Sequence, residues 1–460
     1  MFDQHQQFHF IGIGGAGMSA IASVLLARGL RVTGSDAKAS AATARLTAAG
    51  ATIFIGHDGA NVPDHCAVVL STAIKPDNPE WQAAKAKALP VFHRSDLMAA
   101  LVNERTGIAV AGAHGKTTTT AMLAAVFLQA ELAPTVLIGG DVTAMGGNAC
   151  NGDGAFVITE ADESDGSFLK LRPKYAVVTN IEDDHLDHYG SMDGVREAFR
   201  TFLSYLQPGG KAVLCADQAE ARQLAAAYPE HSVTYGTADD ADWQARNIRF
   251  DGMHTTYEIW YDGRLVSEVH LAVPGSHNVL NSLAAIVLAH YAGVEMATAV
   301  RALAAFCGVH RRFELKGEAQ GIRVIDDYAH HPTEVAATLA AARLVAPKRI
   351  VCVFQPHRFS RTQLLADEFG KAFAECDELI LTDIYSAGEA PIPGITGETL
   401  VEAVARCGGK TAHYVPTLGA LPAFLKTFAQ SGDMVMTMGA GNVYQAGEQL
   451  LVELRNGVLA

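Results

Sequence analysis

The stretch Ile108-Ala-Val-Ala-Gly-Ala-His-Gly-Lys-Thr-Thr-Thr-Thr120 constrains the fold most. A short apolar run, a glycine turn around Gly112 and Gly115, a lysine, and hydroxyls opening a helix (Ala121 to Gln129) follow in one order. That order predicts a strand turning sharply into a helix, the unit from which α/β sheets are built. Such a turn aims backbone N–H groups and a helix N-terminus at one point, which suits a phosphate. Gly112, Ala113, His114, Gly115, Lys116, Thr117 and Thr118 form this candidate loop. Lys116 would reach terminal phosphates, and the Thr117 hydroxyl would ligate magnesium. The spacing is a shortened G-x-x-G-K-T, because the first glycine of the longer pattern would fall at Val110. An ordinary strand-to-helix turn is the bland alternative.

A second glycine turn lies near the N-terminus. Phe8 to Ile13 predicts a strand, Gly12-Ile-Gly14-Gly15-Ala16-Gly17 a turn, and Met18 to about Arg28 a helix. A strand from Leu30 to Thr33 then leads to Asp36. This is G-x-G-x-x-G in a strand–helix setting, with an acid roughly twenty residues on. It predicts a diphosphate at the helix N-terminus and Asp36 on a ribose or nearby hydroxyl. Any nucleotide diphosphate satisfies it, as does a tight turn with no ligand. The hydroxyl-rich Ser71-Thr72 follows the strand Ala67 to Leu70, His93 follows Val91-Phe92, and a helix runs from Asp96 to Asn103. A first domain closes near residue 104.

The second domain (105–317) continues with the strand Ala155 to Thr159, ending in Glu160-Ala-Asp162-Glu163-Ser164-Asp165. An acid at the end of a strand beside a phosphate loop is a usual magnesium ligand, although four acids also suit a solvated loop. Tyr175 to Thr179 leads into Asn180 and on to His185 and His188. No cysteine shares their spacing, so His185 suits a hard cation or a phosphate better than zinc. Residues 232–273 predict short antiparallel strands with turns at Asp251-Gly252 and Asp262-Gly263. His277, Asn278 and Asn281 open a helix, either as caps or as adenine ligands. Arg311 and Arg312 are a solvated turn or a phosphate clamp. In the third domain (318–460), strands at Ile322 to Ile325 and Arg349 to Phe354 end in Asp326-Asp327, His330 and Gln355-Pro-His-Arg358. Arg358 and Arg361, three apart at a helix start, can converge on a carboxylate or phosphate.

Composition narrows the partners. A net charge of −14 argues against a general nucleic-acid surface, so an anionic substrate needs specific cations and N–H groups. No apolar run is long enough for membrane insertion. The seven cysteines are scattered without a C-x-x-C pair, and Met1 to Gln7 lacks a leader pattern, so a cytoplasmic protein is expected. Two phosphate sites, a magnesium constellation and a third domain with converging cations suggest ATP-driven joining of a nucleotide-linked substrate to something else. A simple dehydrogenase does not need the Lys116 loop, and a simple kinase does not need the second fingerprint.

Eight segments carry a more specific likeness: His9 to Ser19, Gly112 to Thr117, Glu160 to Asp165, Asn180 to His185, His277 to Asn281, Arg311 to Phe313, Asp326 to Pro332 and His357 to Arg361. In this order they resemble the Mur ligases, amide ligases of peptidoglycan precursors. The resemblance implies three α/β domains: a Rossmann-like UDP-binding domain, a central P-loop ATPase domain with a small antiparallel addition, and a C-terminal Rossmann-like domain. It implies ATP and magnesium, with an acyl phosphate formed on the substrate carboxylate and then attacked by an amine. Lys116, His185, Arg358 and Arg361 would be catalytic. Thr117, Glu160 and His185 would hold the metal. The loop Gly112 to Thr118 with His277, Asn278, Asn281, Arg312 and Asp327 would hold ATP. Gly12, Gly14, Gly15, Ala16, Gly17, Asp36, Ser71, Thr72 and His93 would hold the UDP-sugar, and His330, Arg358 and Arg361 the amino acid.

The region Ala198-Phe-Arg200 lacks the carbamylated lysine of several relatives. This fits the L-alanine-adding branch, whose partners would be UDP-N-acetylmuramate and L-alanine, with the protein a monomer or homodimer. Asp96 stands where a glutamate is expected, which bears on the wall of the sugar pocket. The alternatives are a recycling ligase that adds a preformed tripeptide and a non-catalytic UDP-sugar sensor with structural ATP. An NAD-dependent oxidoreductase is a third.

Overall fold

A computed structural model describes residues 2–183 and 186–457. The expectation for His185 therefore lies outside the described residues.

The first sheet contains β1 (Gln7–Ile11), β2 (Arg31–Asp36), β3 (Thr52–Ile55), β4 (Ala67–Leu70) and β5 (Val91–His93). Their order is β3-β2-β1-β4-β5, and every pairing is parallel. Strand order reverses between β1 and β4, and ligands of such sheets bind at that crevice. The glycine turn leaves β1 and the Ser71-Thr72 loop leaves β4, so both predicted UDP-sugar segments reach it. β1 and β4 are almost wholly buried, as strands covered on both faces must be.

The second sheet adds β6 (Thr106–Ala111), β7 (Thr135–Val142), β8 (Gly147–Cys150), β9 (Phe156–Glu160), β10 (Tyr175–Val178), β11 (Lys211–Cys215), β12 (Ser232–Gly236), β13 (Trp243–Asp251), β14 (His254–Tyr261) and β15 (Arg264–Leu271). The order is β15-β14-β13-β12-β11-β10-β6-β9-β7-β8. β6 lies between β10 and β9, so the phosphate-loop turn leaves the sheet flanked by both strand ends. The link Asp262-Gly263 has φ +49° and +68°, the tight turn that reverses a hairpin.

The third sheet contains β16 (Glu314–Ala319), β17 (Ile322–Asp327), β18 (Arg349–Phe354), β19 (Glu378–Leu381), β20 (Ala412–Tyr414) and β21 (Asp433–Met438). The order is β16-β17-β21-β18-β19-β20, parallel except for β16. Side chains alternate between two cores. Ile350, Cys352 and Phe354 enter one, and Val351 and Val353 enter the other. The chain divides into two compact units, residues 1–247, 257–269 and 280–306 in one and 248–256, 270–279 and 307–460 in the other. Among the described residues no helix is long and apolar enough to cross a membrane.

Three local expectations change. Within residues 232–273, expected to be antiparallel throughout, β12 pairs parallel with both β11 and β13, so it extends the parallel part of the sheet. The helix expected from Asp96 begins at Arg94, because Asp96 Oδ2 accepts the His93 N–H at 2.9 Å in a capping box. Asp96 also takes Lys170 Nζ on its other oxygen at 2.6 Å, so the residue that departs from the expected glutamate is a helix cap. Arg311 is not a solvated turn. Its Nε donates to buried Asp326 at 2.8 Å, and its other nitrogens donate to the carbonyls of Gly439 (2.7 Å) and Gly441 (3.0 Å). It ties β17 to the turn after β21. Arg311→Ala strands a buried carboxylate and is expected to destabilise the protein by about 3–5 kcal/mol. Denaturant unfolding measures this, and an unchanged midpoint would refute the structural tie.

Candidate active site

The phosphate loop is held from β10. Gly112 has φ +131°, and a β-carbon there would lie 2.1 Å from Thr179 Oγ1. Only glycine fits. Thr179 Oγ1 donates to the His114 carbonyl at 2.6 Å. Asn180 grips the same residue twice, accepting from its N–H at 2.9 Å and donating to its carbonyl at 3.0 Å. Gly115 has φ +82° and caps the helix Lys116–Gln129. Asn281 lies against Gly115, and its Oδ1 accepts from Thr119 at 3.2 Å, so it braces the loop. The cradle is therefore formed by the chain itself, with a helix N-terminus behind it.

Lys116 is the loop's cation. Its Nζ donates to the carbonyls of Gly112 (2.5 Å) and Ala113 (3.2 Å) and to Glu163 Oε1 (2.8 Å). Burial works to lower its pKa, but the charge and hydrogen bond of Glu163 outweigh this and hold it above its ordinary value. The acidic loop is not a solvated turn. Glu163 is buried, and the Tyr189 hydroxyl donates to its backbone carbonyl. Glu160 Oε1 accepts the Gly139 N–H at 2.6 Å. Asp162 pairs with Arg94 at 2.7 Å, and Asp165 caps Ser167 at 3.0 Å. The Glu160 carboxylate, at the end of β9, and the Thr117 hydroxyl, in the first turn of the helix that follows the neighbouring β6, are hard oxygen donors of the kind magnesium takes.

At the first glycine turn, Asp36 reaches back into the loop, where its Oδ2 accepts the Gly14 N–H at 2.9 Å. Gly12 and Ile13 donate their N–H groups to the Ser35 carbonyl. His93 Nδ1 engages Ser95 Oγ at 2.7 Å, and its buried Nε2 has no hydrogen-bond partner among the described residues. That orphaned nitrogen suits a polar ligand.

In the second unit, Asp327, His277 and His330 lie near enough to Arg312 to feel its charge. Asp327 is buried and accepts N–H bonds from Phe313 and Ala329, both at 2.7 Å, so its oxygens brace the turn. Burial pushes its pKa up to about 6, against the nearby Arg312 charge. Arg312 lies over the Tyr328 ring, 5.2 Å from its centroid. Burial, then the Arg312 charge, pushes His277 down to about 4, while Asn278 Nδ2 donates to the Pro274 carbonyl at 2.7 Å. His330 is pushed down to about 4, chiefly by burial, although Glu334 opposes this. His357 falls to about 3 through burial and then the His330, Arg361 and Arg358 charges. Its Nδ1 accepts from Arg361 at 3.3 Å, so the ring is neutral. Arg358 has φ +70° and ψ 141°, held by its N–H bond to the Tyr385 carbonyl. A non-glycine residue in that region is strained, and such strain concentrates at functional sites. Sequence reasoning had not assigned roles to Thr179, Glu163, Arg94, Tyr328, His357 or Tyr385. Their positions at strand ends beside predicted sites were the available signal.

These shifts set a pH dependence. His330 and His357 bind protons more readily unfolded, at an ordinary 6.5, than folded, at about 4 and about 3. Stability therefore falls as pH drops from about 6.5 toward 4. Asp327 opposes this, its contribution being full below 3.8 and lost as pH rises through about 6. With His277, also held at about 4, three histidines outweigh one carboxylate. His357→Gln should lose less stability than the parent between pH 7 and 5, measured by urea midpoints, and an equal loss would refute the assignment.

Known proteins share this arrangement along the whole chain. Residues 7–106 match the catalytic domain of the Mur ligase family, 110–289 the Mur ligase middle domain, and 311–441 the Mur ligase glutamate ligase domain. The UDP-N-acetylmuramate–L-alanine ligase of Pelotomaculum thermopropionicum is 48% identical over 98% of both chains. That of Geobacter sulfurreducens is 47% identical over 99% of both. Among solved structures, the UDP-N-acetylmuramate–alanine ligase of Thermotoga maritima aligns with a TM-score of 0.86 at 31% identity, covering 98% of this chain and 100% of that one. A murein peptide ligase from Psychrobacter arcticus aligns with 0.73 at 28% identity, covering 98% and 99%. With its three domain matches in order and full-length relatives at this identity, the chain belongs to the Mur ligase family.

Proposed function

We propose that this ATP-dependent ligase joins L-alanine to the carboxylate of UDP-N-acetylmuramate, in the cytoplasm, as a step of peptidoglycan precursor synthesis. The observation that carries this reading is the full-length 48% identity to a ligase of that name. The weaker structural match to the murein peptide ligase, 0.73 against 0.86, favours L-alanine over a preformed peptide.

The chemistry follows from the loops. The substrate carboxylate attacks the γ-phosphorus of ATP, ADP leaves, and an acyl phosphate forms. The amine of the amino acid then attacks the acyl carbon through a tetrahedral intermediate, and phosphate departs. Lys116, held protonated, neutralises charge on the transferring phosphoryl group with the loop N–H groups. Thr117, Glu160 and His185 are the residues that would hold magnesium, which supplies further neutralisation of the phosphate oxygens. The turn Gly12–Gly17 with Ser71, Thr72 and His93 takes the UDP-sugar. Asp36 acts there by fixing Gly14. Arg358 and Arg361 take the amino-acid carboxylate as cations. His330, neutral at pH 7, contributes a hydrogen bond and no charge. Asn281 and Asp327 serve ATP indirectly, by bracing the segments that hold it.

Phosphate release should require both UDP-N-acetylmuramate and an amino acid, with L-alanine the most effective when all are scanned. Equal release without either substrate would refute ligation, and a strict need for a tripeptide would favour the recycling reading. Lys116→Ala should lower turnover by ~10³-fold or more. UDP-sugar affinity, measured calorimetrically, should survive, because the glycine turn belongs to another sheet. Loss of both would refute the assignment of the two loops.

A further inference from the structure

Adjacent carboxylates on the loop after β9 each hold a cation from a different place. Glu163 holds Lys116 at 2.8 Å, and Asp162 Oδ2 holds Arg94 Nη2 at 2.7 Å, with Asp165 at 3.6 Å. Arg94 opens the helix that follows β5, in the sheet of the first glycine turn. Its Nη1 lies 3.1 Å from where a β-carbon on Gly17 would stand. One guanidinium therefore packs against the first helical turn behind that loop while gripping the acidic segment that steadies Lys116. Burial works to raise the Asp162 pKa, but the Arg94 charge and side-chain hydrogen bonds from Ser164 and Arg94 overcome it and bring it down to about 2, so the pair is ionised.

We propose that Arg94 is a positioning residue that couples occupancy of the glycine turn to the geometry of the phosphate loop. A sugar nucleotide seated on the turn steadies Arg94, Arg94 steadies Asp162, and the next residue, Glu163, steadies Lys116. This rests on the function proposed above. It adds that the two substrates assist one another through named side chains. Linkage makes such an effect reciprocal: each ligand tightens the other by the same factor.

Calorimetry of UDP-N-acetylmuramate binding, with and without a non-hydrolysable ATP analogue and magnesium, measures that factor. The parent should show tightening of about 5-fold or more. Arg94→Ala and Asp162→Asn should each bring the factor close to one, and the double variant should go no further. Arg94→Lys, which keeps the charge but not the forked geometry, should retain part of it. A merely structural role would weaken each ligand alone and leave the factor unchanged. A parent factor of one, or variants that keep the parent's factor, would overturn the proposal. Failure of the parent to bind UDP-N-acetylmuramate at all would instead overturn the functional reading.

Discussion

The clasp between β10 and the phosphate loop is the constraint on which the first unit depends. Gly112 must turn where no side chain fits, because Thr179 occupies the space. Thr179 and Asn180 then take both backbone groups of His114, so the loop is stiff before any ligand arrives. A rigid cradle of backbone N–H groups would lose little freedom on binding an anion. The position of β6 between β9 and β10 makes this possible, since both neighbours end beside the same turn.

Charge is balanced locally rather than by the overall field of an acidic protein. Lys116, Arg94 and Arg311 each face a carboxylate within 2.8 Å. Lys116 and Arg94 take theirs from one loop. In the second unit, burial keeps His330 and His357 neutral, which leaves Arg312, Arg358 and Arg361 as the cations of that cluster. Neutral rings beside fixed guanidiniums provide hydrogen bonds without adding to the repulsion among them.

Much of this was legible in the sequence. Both glycine turns, the acid at the end of β9 and the polar ends of β17 and β18 stand where strand–turn–helix patterning put them. What escaped shows why. β7 carries Gly139 and Gly140, and β8 is the short run Gly147 to Cys150, so neither has the apolar alternation that marks a strand. β3, at a sheet edge and mostly exposed, is equally faint. Such strands form because a neighbouring strand offers its hydrogen bonds, and that is tertiary information. The roles of Arg94 and Glu163 escaped for a related reason. They depend on partners 68 and 47 residues away, which no local pattern encodes.

Arg358 leaves a record of what this fold gives up. Its backbone occupies a region that glycine enters freely and other residues enter at a cost of about 1–3 kcal/mol. Glycine there would make a sturdier protein lacking one guanidinium. The chain carries arginine instead, and Tyr385 holds the awkward turn in place with two backbone hydrogen bonds. Stability at this point has been traded for a charge, and a stabilising screen blind to activity would select its loss.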